Sequence, residues 1–329
     1  MPNNKKDSKS ILKYVTVLLL IVFGASLVLF FVELIDKSVG RFPNEEKDTA
    51  VIHNGVKYEP KDNIETFLVI GLDKYEGGHD SESYNNDKQA DFLMLFVFDK
   101  EQNQCSTIHI NRDTVSNINV LGVSGNKIAT VTGQIALAHT YGNGKNVSCR
   151  NTADSVSDLL CGIRIDHYIS FSMDAVAILN DRVGGVEVTV LDDFTGIDDT
   201  LVKGEKVTLQ SDQALLYVRS RYGLEDSSNL NRMVRQQQYL KSFYEKFRKC
   251  SDENEDFIIE TSLKVSDYIV SDRSLTQLQS LAKMFSEYEF TGVKDIEGRV
   301  EYGEKFVEFY PDKDSVKDVV IQLFYEPQK

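Results

Sequence analysis

The chain has 329 residues, a length that suits one large folded domain with an additional segment. Its net charge is −14, from 51 acidic and 37 basic residues, which argues against a nucleic-acid partner because such binding depends on a basic surface that releases counterions from phosphates. A substrate with one or two phosphates is not excluded, since a few arginines in one place are enough to bind it.

An uncharged apolar segment lies near the N-terminus. Residues 15–32 read VTVLLLIVFGASLVLFFV, and at about 1.5 Å of helical rise per residue this run is as long as the bilayer hydrocarbon is thick. The charges after the run nearly cancel, whereas those before it are mostly the lysines Lys5, Lys6, Lys9 and Lys13. The positive-inside rule therefore predicts a cytoplasmic tail (1–14), a transmembrane helix (15–35) and an extracytoplasmic remainder.

This arrangement predicts a single-pass plasma-membrane protein with its C-terminal domain outside the cell. A cleavable signal peptide is the alternative, since its first region is also basic. The apolar run is longer than that of a usual signal peptide, so an uncleaved anchor is the favoured interpretation.

The four cysteines fit no zinc site, because no CxxC pair is present among Cys105, Cys149, Cys161 and Cys250. An even number of cysteines outside the cytoplasm is compatible with disulfides. We expect Cys149 to pair with Cys161, since that pairing closes the shortest loop.

Residues 36–63 are polar and contain two prolines, which predicts an extracytoplasmic linker, and one folded domain is predicted from 64 to 329. Apolar runs predict strands at 66–70, 92–98 and 106–110, and further strands are expected at 167–171, 186–190 and 305–310. Helices are predicted at about 132–141, 151–161, 173–182, 211–218, 229–249, 275–288 and 313–325. The alternation predicts an α/β fold, a three-layer α/β/α sandwich with a central mixed sheet.

Two aspartates flank the first two strands of this domain. Asp73 directly follows the first strand, and Asp91 directly precedes the second. If these strands pair antiparallel, both carboxylates meet at one sheet edge, and one or two carboxylates plus substrate phosphates are the usual ligands of Mg²⁺. Aspartates are also common turn residues beside strands, so the spacing leaves both interpretations open.

Arginines and amides cluster around the start of the longest predicted helix. Arg232, Arg235 and Gln236 occupy positions i, i+3 and i+4, so they share one helical face near the first turns. A helix N-terminus disfavours cations, and a bound pyrophosphate would explain arginines at that place. Arg219 and Arg221 precede the helix and extend the cluster. The alternative is that these arginines pair with the protein's own carboxylates.

Arg112 directly follows the third strand in the motif NRDT. It either contacts a phosphate or pairs with Asp113 in a structural ion pair. Other catalytic templates are absent from the sequence, which has no GxxxxGK[ST], GxSxG or HExxH motif. His109 and His167 lie in predicted strands and are interpreted as core or sheet residues.

Seven segments, in order along the chain, together resemble the LytR-CpsA-Psr family of cell-wall ligases. They are FLVIGLD (67–73), KQADFLMLFVFD (88–99), IHINRDT (108–114), GIRIDHYISF (162–171), VGGVEV (183–188), QALLYVRSR (213–221) and NRMVRQQQ (231–238). Each segment is weak evidence alone, whereas seven in family order are specific.

The resemblance implies roles for residues of this chain. Asp73 and Asp91 match the family's pair near a divalent cation, Mg²⁺ or Mn²⁺. The implied pyrophosphate-binding set, completed by the neighbouring Arg235, is Arg112, Arg219, Arg221, Arg232, Arg235 and Gln236. Among these residues we expect Asp91, Arg112 and Arg219 to act on the reacting groups, with Asp91 as general base.

Family members are understood to transfer a glycosyl phosphate from a polyprenyl-pyrophosphate carrier to a peptidoglycan hydroxyl. Many hold the prenyl chain in an apolar tunnel. The implied partners are therefore a polyprenyl-pyrophosphate-linked glycan, peptidoglycan and the membrane, and the implied activity is attachment of wall teichoic acid or capsule.

One position departs from the family pattern. Members usually have Arg-Ser-Asp before the second strand, and this chain has Gln89-Ala90-Asp91, with Lys88 one residue earlier. Either Lys88 replaces the missing guanidinium as a point charge, or the departure indicates weakened catalysis or a specialised substrate. Two alternatives to the transferase stay open. One is a hydrolase that transfers the group to water, and the other, which the glutamine at position 89 favours, is a non-catalytic protein that binds lipid pyrophosphate.

Overall fold

The computed structural model describes residues 50–72, 89–221, 229–303 and 306–328. The predicted cytoplasmic tail, the predicted transmembrane helix and residues 36–49 of the predicted linker lie outside these ranges. Within them, no helix combines the length and the apolar character needed to cross a bilayer.

The strands of the described ranges are β1 (Val51–His53), β2 (Val56–Pro60), β3 (Ile64–Leu72), β4 (Ala90–Asp99), β5 (Gln104–Ile110), β6 (Val115–Leu121), β7 (Lys127–Gln134), β8 (His167–Ser172), β9 (Val186–Thr189), β10 (Lys206–Leu209), β11 (Ile269–Ser271), β12 (Glu289–Asp295), β13 (Gly298–Tyr302), β14 (Val307–Pro311) and β15 (Tyr325–Pro327).

The α-helices there are α1 (Asn146–Leu159), α2 (Asp174–Arg182), α3 (Ser211–Arg219), α4 (Asn229–Glu253), α5 (Phe257–Val265), α6 (Leu275–Glu287) and α7 (Lys313–Phe324). Two 3₁₀ segments are η1 (Ile135–Tyr141) and η2 (Ser266–Tyr268).

Side-chain capping defines where some of the helices begin. Ser274 and Gln277 form a capping box at α6, and the Asp312 carboxylate accepts from two backbone N–H groups at the start of α7.

A six-stranded sheet forms the centre of the domain, in the order β11-β8-β3-β4-β5-β12. The pairs β3–β4, β4–β5 and β8–β11 are antiparallel, whereas β3–β8 and β5–β12 are parallel. The predicted α/β class and the central mixed sheet are therefore confirmed.

The two faces of this sheet meet different elements because side chains alternate along each strand. On one face, Ser170 lies 3.3 Å from Cys149 Sγ, and the Tyr168 hydroxyl donates to the backbone carbonyl of Asn146, both in α1. The opposite face carries Phe67 and Phe96, which pack towards α6. The sheet is thus buried on both sides, as its continuous apolar strands predicted.

The strands predicted at 66–70, 92–98, 106–110 and 167–171 are confirmed as β3, β4, β5 and β8. The helix predicted from 132 begins later, as η1, because residues 127–134 pair with β6 as a hairpin. This hairpin, the edge strand β12 and the helix α5 were not predicted. Residues 51–60, within the predicted linker, form β1 and β2, and β2 pairs with β15.

The expected disulfide between Cys149 and Cys161 is wrong, since all four cysteines are free thiols. Cys149 is buried in the first turn of α1, and Cys161 is exposed beyond its last turn. Twelve residues of helical rise amount to roughly 18 Å, whereas a disulfide requires Cα atoms within about 7 Å. Short sequence separation was a poor guide because the intervening chain is a rigid helix.

Candidate active site

The end of β3 and the start of β4 lie side by side at one edge of the sheet. Their antiparallel register pairs Leu72 with Ala90, as the aspartate hypothesis required. Gly71 permits this close approach, because a Cβ atom there would lie 2.8 Å from Phe92 Cβ. Asp91 is therefore at the edge, while Asp73 and Lys88 lie outside the described residues.

Arg112 reaches the same edge from β5. The antiparallel pairing of Leu93 with Ile110 brings the end of β5 to the start of β4. The Arg112 guanidinium donates through Nη1 to Asp91 Oδ1 and through Nη2 to Gln89 Oε1, and its Nε lies 3.5 Å from Asp113 Oδ1. The side chain at the position that departs from the family pattern is thus a hydrogen-bond partner of Arg112.

The turn that carries Arg112 is fixed to two other elements. Asn111 Oδ1 accepts from the backbone N–H of Asp113 at 3.0 Å and from Asn229 Nδ2 at 2.6 Å, which ties the turn to the start of α4. The Phe309 N–H donates to the Asp113 carbonyl at 2.9 Å, which ties it to β14. Neither tie was predicted, because nothing in the sequence marks Asn111 and Asn229 as partners across 118 positions.

Arg232 projects from the first turns of α4 into this group. It is 4% exposed, and its Nη2 donates to the backbone carbonyl of Asp91 at 3.0 Å. Its Nε has no hydrogen-bond partner within the described part of the chain. Burial, together with the positive charges of Arg221 and Arg112, lowers the pKa of Arg232 to about 9.

Asp113 is the buried carboxyl of this cluster. Burial raises its pKa, and the positive charges of Arg112, Arg221 and Arg232 act in the opposite direction. One buried carboxyl is therefore surrounded by three guanidinium groups. The arginines remain in mutual repulsion that a bound anion would relieve.

Arg235 occupies a different environment. It is 1% exposed, its Nε lies 3.2 Å from Asp192 Oδ2, and its guanidinium lies 5.4 Å from the Phe194 ring centroid. It also donates to the Ser220 carbonyl, and burial lowers its pKa while Asp192 raises it. No sequence pattern identifies Asp192 as the partner of Arg235.

Gln236 holds the last turn of α3, since its Nε2 donates to the Val218 carbonyl at 3.0 Å. Arg219 is the last residue of α3 and is exposed, whereas Arg221 is half-buried two residues later. The structure thus brings Arg221, Arg232, Arg112 and Asp91 into one group, and Arg235 and Gln236 fix the segment that carries Arg219 and Arg221.

A large apolar cavity of about 340 Å³ lies between the sheet and helices α2, α4, α5 and α6. Phe67, Phe96 and Ile169 line it from the sheet, and Leu240 and Leu278 line it from the helices. Gln236 also belongs to its wall, four residues after Arg232 on α4. The cavity and the arginine cluster therefore share one helix.

Among the described residues, no three or more His, Cys, Asp or Glu side chains gather as a metal site. His109 is 2% exposed in β5, and burial and the charge of Arg232 lower its pKa to about 3. Its imidazole is neutral at physiological pH, in agreement with the interpretation of His109 as a sheet residue rather than a base.

The chain is similar to known proteins in sequence and in fold. The model of the LytR_cpsA_psr family matches residues 29–321. A polyisoprenyl-teichoic acid--peptidoglycan teichoic acid transferase, TagU of Enterococcus faecalis, is 24% identical over 286 residues, which cover 86% of this chain and 84% of TagU. The cell wall biosynthesis protein LcpA of Corynebacterium glutamicum is 32% identical over 174 residues, or 50% of this chain and 33% of LcpA.

The match spans 65% of the length of an uncharacterised Staphylococcus aureus relative that is 23% identical, so the relatives differ in how much of their length corresponds to this chain. Among solved structures, TagT bound to LI-WTA is similar with a TM-score of 0.60 and 19% identity, over 80% of this chain and 91% of that one. Bacillus subtilis TagT has a TM-score of 0.58 at 19% identity, over 84% and 94%. At this identity the structural likeness shows a common fold.

Proposed function

Since the chain belongs to the LytR_cpsA_psr family, we propose that it transfers a glycopolymer, either wall teichoic acid or capsule, from a polyprenyl-pyrophosphate carrier to peptidoglycan through a phosphodiester bond. The observation that carries this proposal is that helix α4 contributes Arg232 to the arginine cluster and also lines the large apolar cavity. A lipid pyrophosphate has the two matching parts, an anionic head and an apolar tail.

The arginine cluster supports the anionic part of the substrate. Arg232 lies beside Arg112 and Arg221, and its burial, together with repulsion from these two arginines, lowers its pKa. Guanidinium groups bind phosphate oxygens in pairs, and a buried site strengthens each such contact. A pyrophosphate with two or more negative charges is therefore a better match than a single carboxylate.

The apolar cavity supports the lipid part. Its walls come from aromatic and aliphatic side chains of the sheet and four helices, and polar groups are rare among them. Burying an isoprenoid there gains about 25 cal/mol for each Å² of apolar surface removed from water. Gln236 lines the cavity one turn after Arg232. The pyrophosphate head would therefore lie near the start of α4, and the prenyl tail would extend further along the helix.

A divalent cation fits this site through Asp91. Its carboxylate is 15% exposed at the sheet edge, while Asp113 is 7% exposed with a raised pKa and is a poor ligand. One or two carboxylates with substrate phosphates commonly bind Mg²⁺, so we propose Asp91 and Asp73 as the ligands of Mg²⁺ or Mn²⁺. The bound ion would neutralise charge on the pyrophosphate.

The remaining chemistry is positioning, charge neutralisation and one proton transfer. Arg112, Arg219, Arg221 and Arg232 bind the pyrophosphate oxygens. The oxygen of the peptidoglycan hydroxyl attacks the phosphorus next to the sugar, and its proton passes to Asp91. The bond between that phosphorus and the bridging oxygen breaks, and polyprenyl phosphate leaves with the electron pair.

We further propose that residues 15–35 anchor the protein in the plasma membrane, with the catalytic domain outside. The support is the apolar run and the lysines before it. Such an anchor keeps the domain at the surface where prenyl carriers reside.

The test is a transfer assay with the full chain in detergent micelles, a synthetic prenyl-pyrophosphate glycan, peptidoglycan fragments and Mg²⁺. Mass spectrometry should detect a phosphodiester-linked adduct, and Arg219→Ala should lower its rate on the order of a hundredfold. Arg248→Ala is the matched control, because Arg248 is an exposed arginine of α4.

Undiminished transfer by Arg219→Ala would remove that residue from the mechanism. Release of prenyl phosphate without peptidoglycan would instead identify a hydrolase, and bound but intact lipid would identify a binding protein.

A further inference from the structure

A second cavity, of about 160 Å³, lies on the β12 side of α4. It is separate in its lining from the large apolar cavity and combines polar and apolar side chains. Its lining includes His109, Asn111, Gln237, Asp295, Val234 and Phe309. None of these residues belongs to the predicted pyrophosphate site.

The polar side of this cavity stands at the ends of two parallel strands. Asp295 ends β12 and pairs in register with His109 of β5. Carboxyl ends of parallel strands are common ligand positions in α/β proteins. Arg112 follows β5 by two residues, so the cavity lies at the same sheet edge as the arginine cluster.

Gln237 connects the two polar groups. Its Nε2 donates to Asp295 Oδ1 at 2.6 Å and lies 3.4 Å from His109 Nδ1. His109 is neutral, because burial and Arg232 lower its pKa to about 3. The polar wall therefore consists of an acceptor carboxylate, the amides of Gln237 and Asn111, the hydroxyl of Thr114 and a neutral ring.

The apolar side is formed by Val234 of α4 together with Phe309 and Pro311 of β14. A wall with one carboxylate, two amides, one hydroxyl and no arginine disfavours a phosphate and suits hydroxyl groups that donate to the carboxylate. Sugars bind through hydroxyl groups at one side and through C–H faces at the other. The volume is sufficient for one sugar ring.

We propose that this cavity is the subsite for the acceptor sugar, an uncharged saccharide ring with hydroxyl and amide groups, and that Asp295 accepts one of its hydroxyl hydrogens. This inference rests on the proposed transferase function, since it assigns the second substrate of the same reaction. It places donor and acceptor on opposite sides of α4, with their reacting ends at one edge of the sheet.

The experiment measures binding without catalysis. Saturation-transfer NMR follows the soluble disaccharide N,N′-diacetylchitobiose with the full chain in detergent micelles. Asp295→Asn keeps the shape and the hydrogen bond from Gln237 but removes the charge, and it should weaken binding roughly tenfold. Val234→Phe narrows the cavity at its half-exposed rim without removing a polar group, and it should also weaken binding.

Glu297→Gln is the matched control, since Glu297 is an exposed carboxylate two residues beyond Asp295 and outside the cavity lining. Disaccharide binding that both cavity variants lose and Glu297→Gln retains supports the subsite. Binding that either cavity variant leaves unchanged, or an absence of binding by the wild type, overturns it. The transfer assay judges the transferase function separately, because it does not depend on this soluble probe.

Discussion

Arg232 donates through Nη2 to the backbone carbonyl of Asp91 at 3.0 Å, so the first turns of α4 are joined to the start of β4. This contact holds a buried guanidinium next to Arg112 and Arg221, and burial with their repulsion lowers its pKa to about 9. The charged form of Arg232 therefore costs the ligand-free protein stability, and a bound pyrophosphate compensates for that cost.

Replacing Arg232 separates these two effects. Arg232→Gln should weaken pyrophosphate binding at least tenfold, because a charge-assisted contact is lost. The unfolding free energy of the ligand-free protein should change by no more than about 1 kcal/mol, since relief of repulsion offsets the lost hydrogen bond to Asp91. Thermal unfolding with and without inorganic pyrophosphate measures both, with Arg248→Gln as the control. Equal stabilisation of Arg232→Gln and wild type by pyrophosphate would contradict the assignment.

Gln89 is predicted to tune the anion affinity of Arg112. Gln89→Glu places a carboxylate where Arg112 Nη2 now donates to an amide oxygen, so Arg112 gains a charged internal partner. We expect pyrophosphate to bind several-fold more weakly to this variant, as measured by isothermal titration. Gln102→Glu, an exposed substitution with the same charge change, should bind as the wild type does. Unchanged affinity in Gln89→Glu would show that Arg112 does not contact the ligand.

The apolar cavity can be probed by fluorescence because the chain contains no tryptophan. Leu278→Trp introduces a single indole into the cavity wall. A prenyl phosphate should change its emission wavelength or intensity in a saturable manner. Ile128→Trp, at a position 70% exposed on β7, should not respond. A response of the same size from both positions would indicate non-specific adsorption of the lipid.

Asp154 of α1 predicts a dependence of stability on pH. Burial raises its pKa from 3.8 to about 6, opposed by Arg150 and Lys127 and reinforced by Asp158. The folded state prefers the protonated form, so this contribution is present below about pH 4 and is lost as the pH rises through about 6. Asp154→Asn should therefore stabilise the protein at pH 7.5 by about 1 to 2 kcal/mol and give no gain at pH 4.

Urea unfolding at the two pH values measures this difference. Glu101→Gln removes an exposed carboxylate in the turn between β4 and β5 and serves as the control. A gain from Asp154→Asn that is equal at both pH values would attribute the effect to packing rather than to titration.

Several residues of the arginine cluster could be singled out from the sequence because they adjoin elements with strong local patterns. Arg112 comes directly after a continuous apolar strand and one further residue. Arg232 has the i, i+3, i+4 spacing with Arg235 and Gln236 that places side chains on one face of a helix. The role of Arg235 was harder to assign. It shares a helical face with Arg232 in the sequence pattern, and that pattern does not reveal that Asp192 and the Phe194 ring enclose its side chain. The predicted pairing of Cys149 with Cys161 was wrong because a short separation in sequence becomes a long distance in space when the residues between them form a helix.

Hydrophobic periodicity and short motifs are local properties of the chain, and they were enough to predict the strands β3, β4, β5 and β8, the long helix α4 and the family resemblance. Which charged side chains meet depends on the tertiary structure. The pairing of β5 with β12 joins segments about 185 residues apart and brings Asp295 to His109, and Asn229 reaches Asn111 across 118 positions. Such contacts depend on the register of distant strands and the packing of α4 across the sheet, which no local pattern encodes.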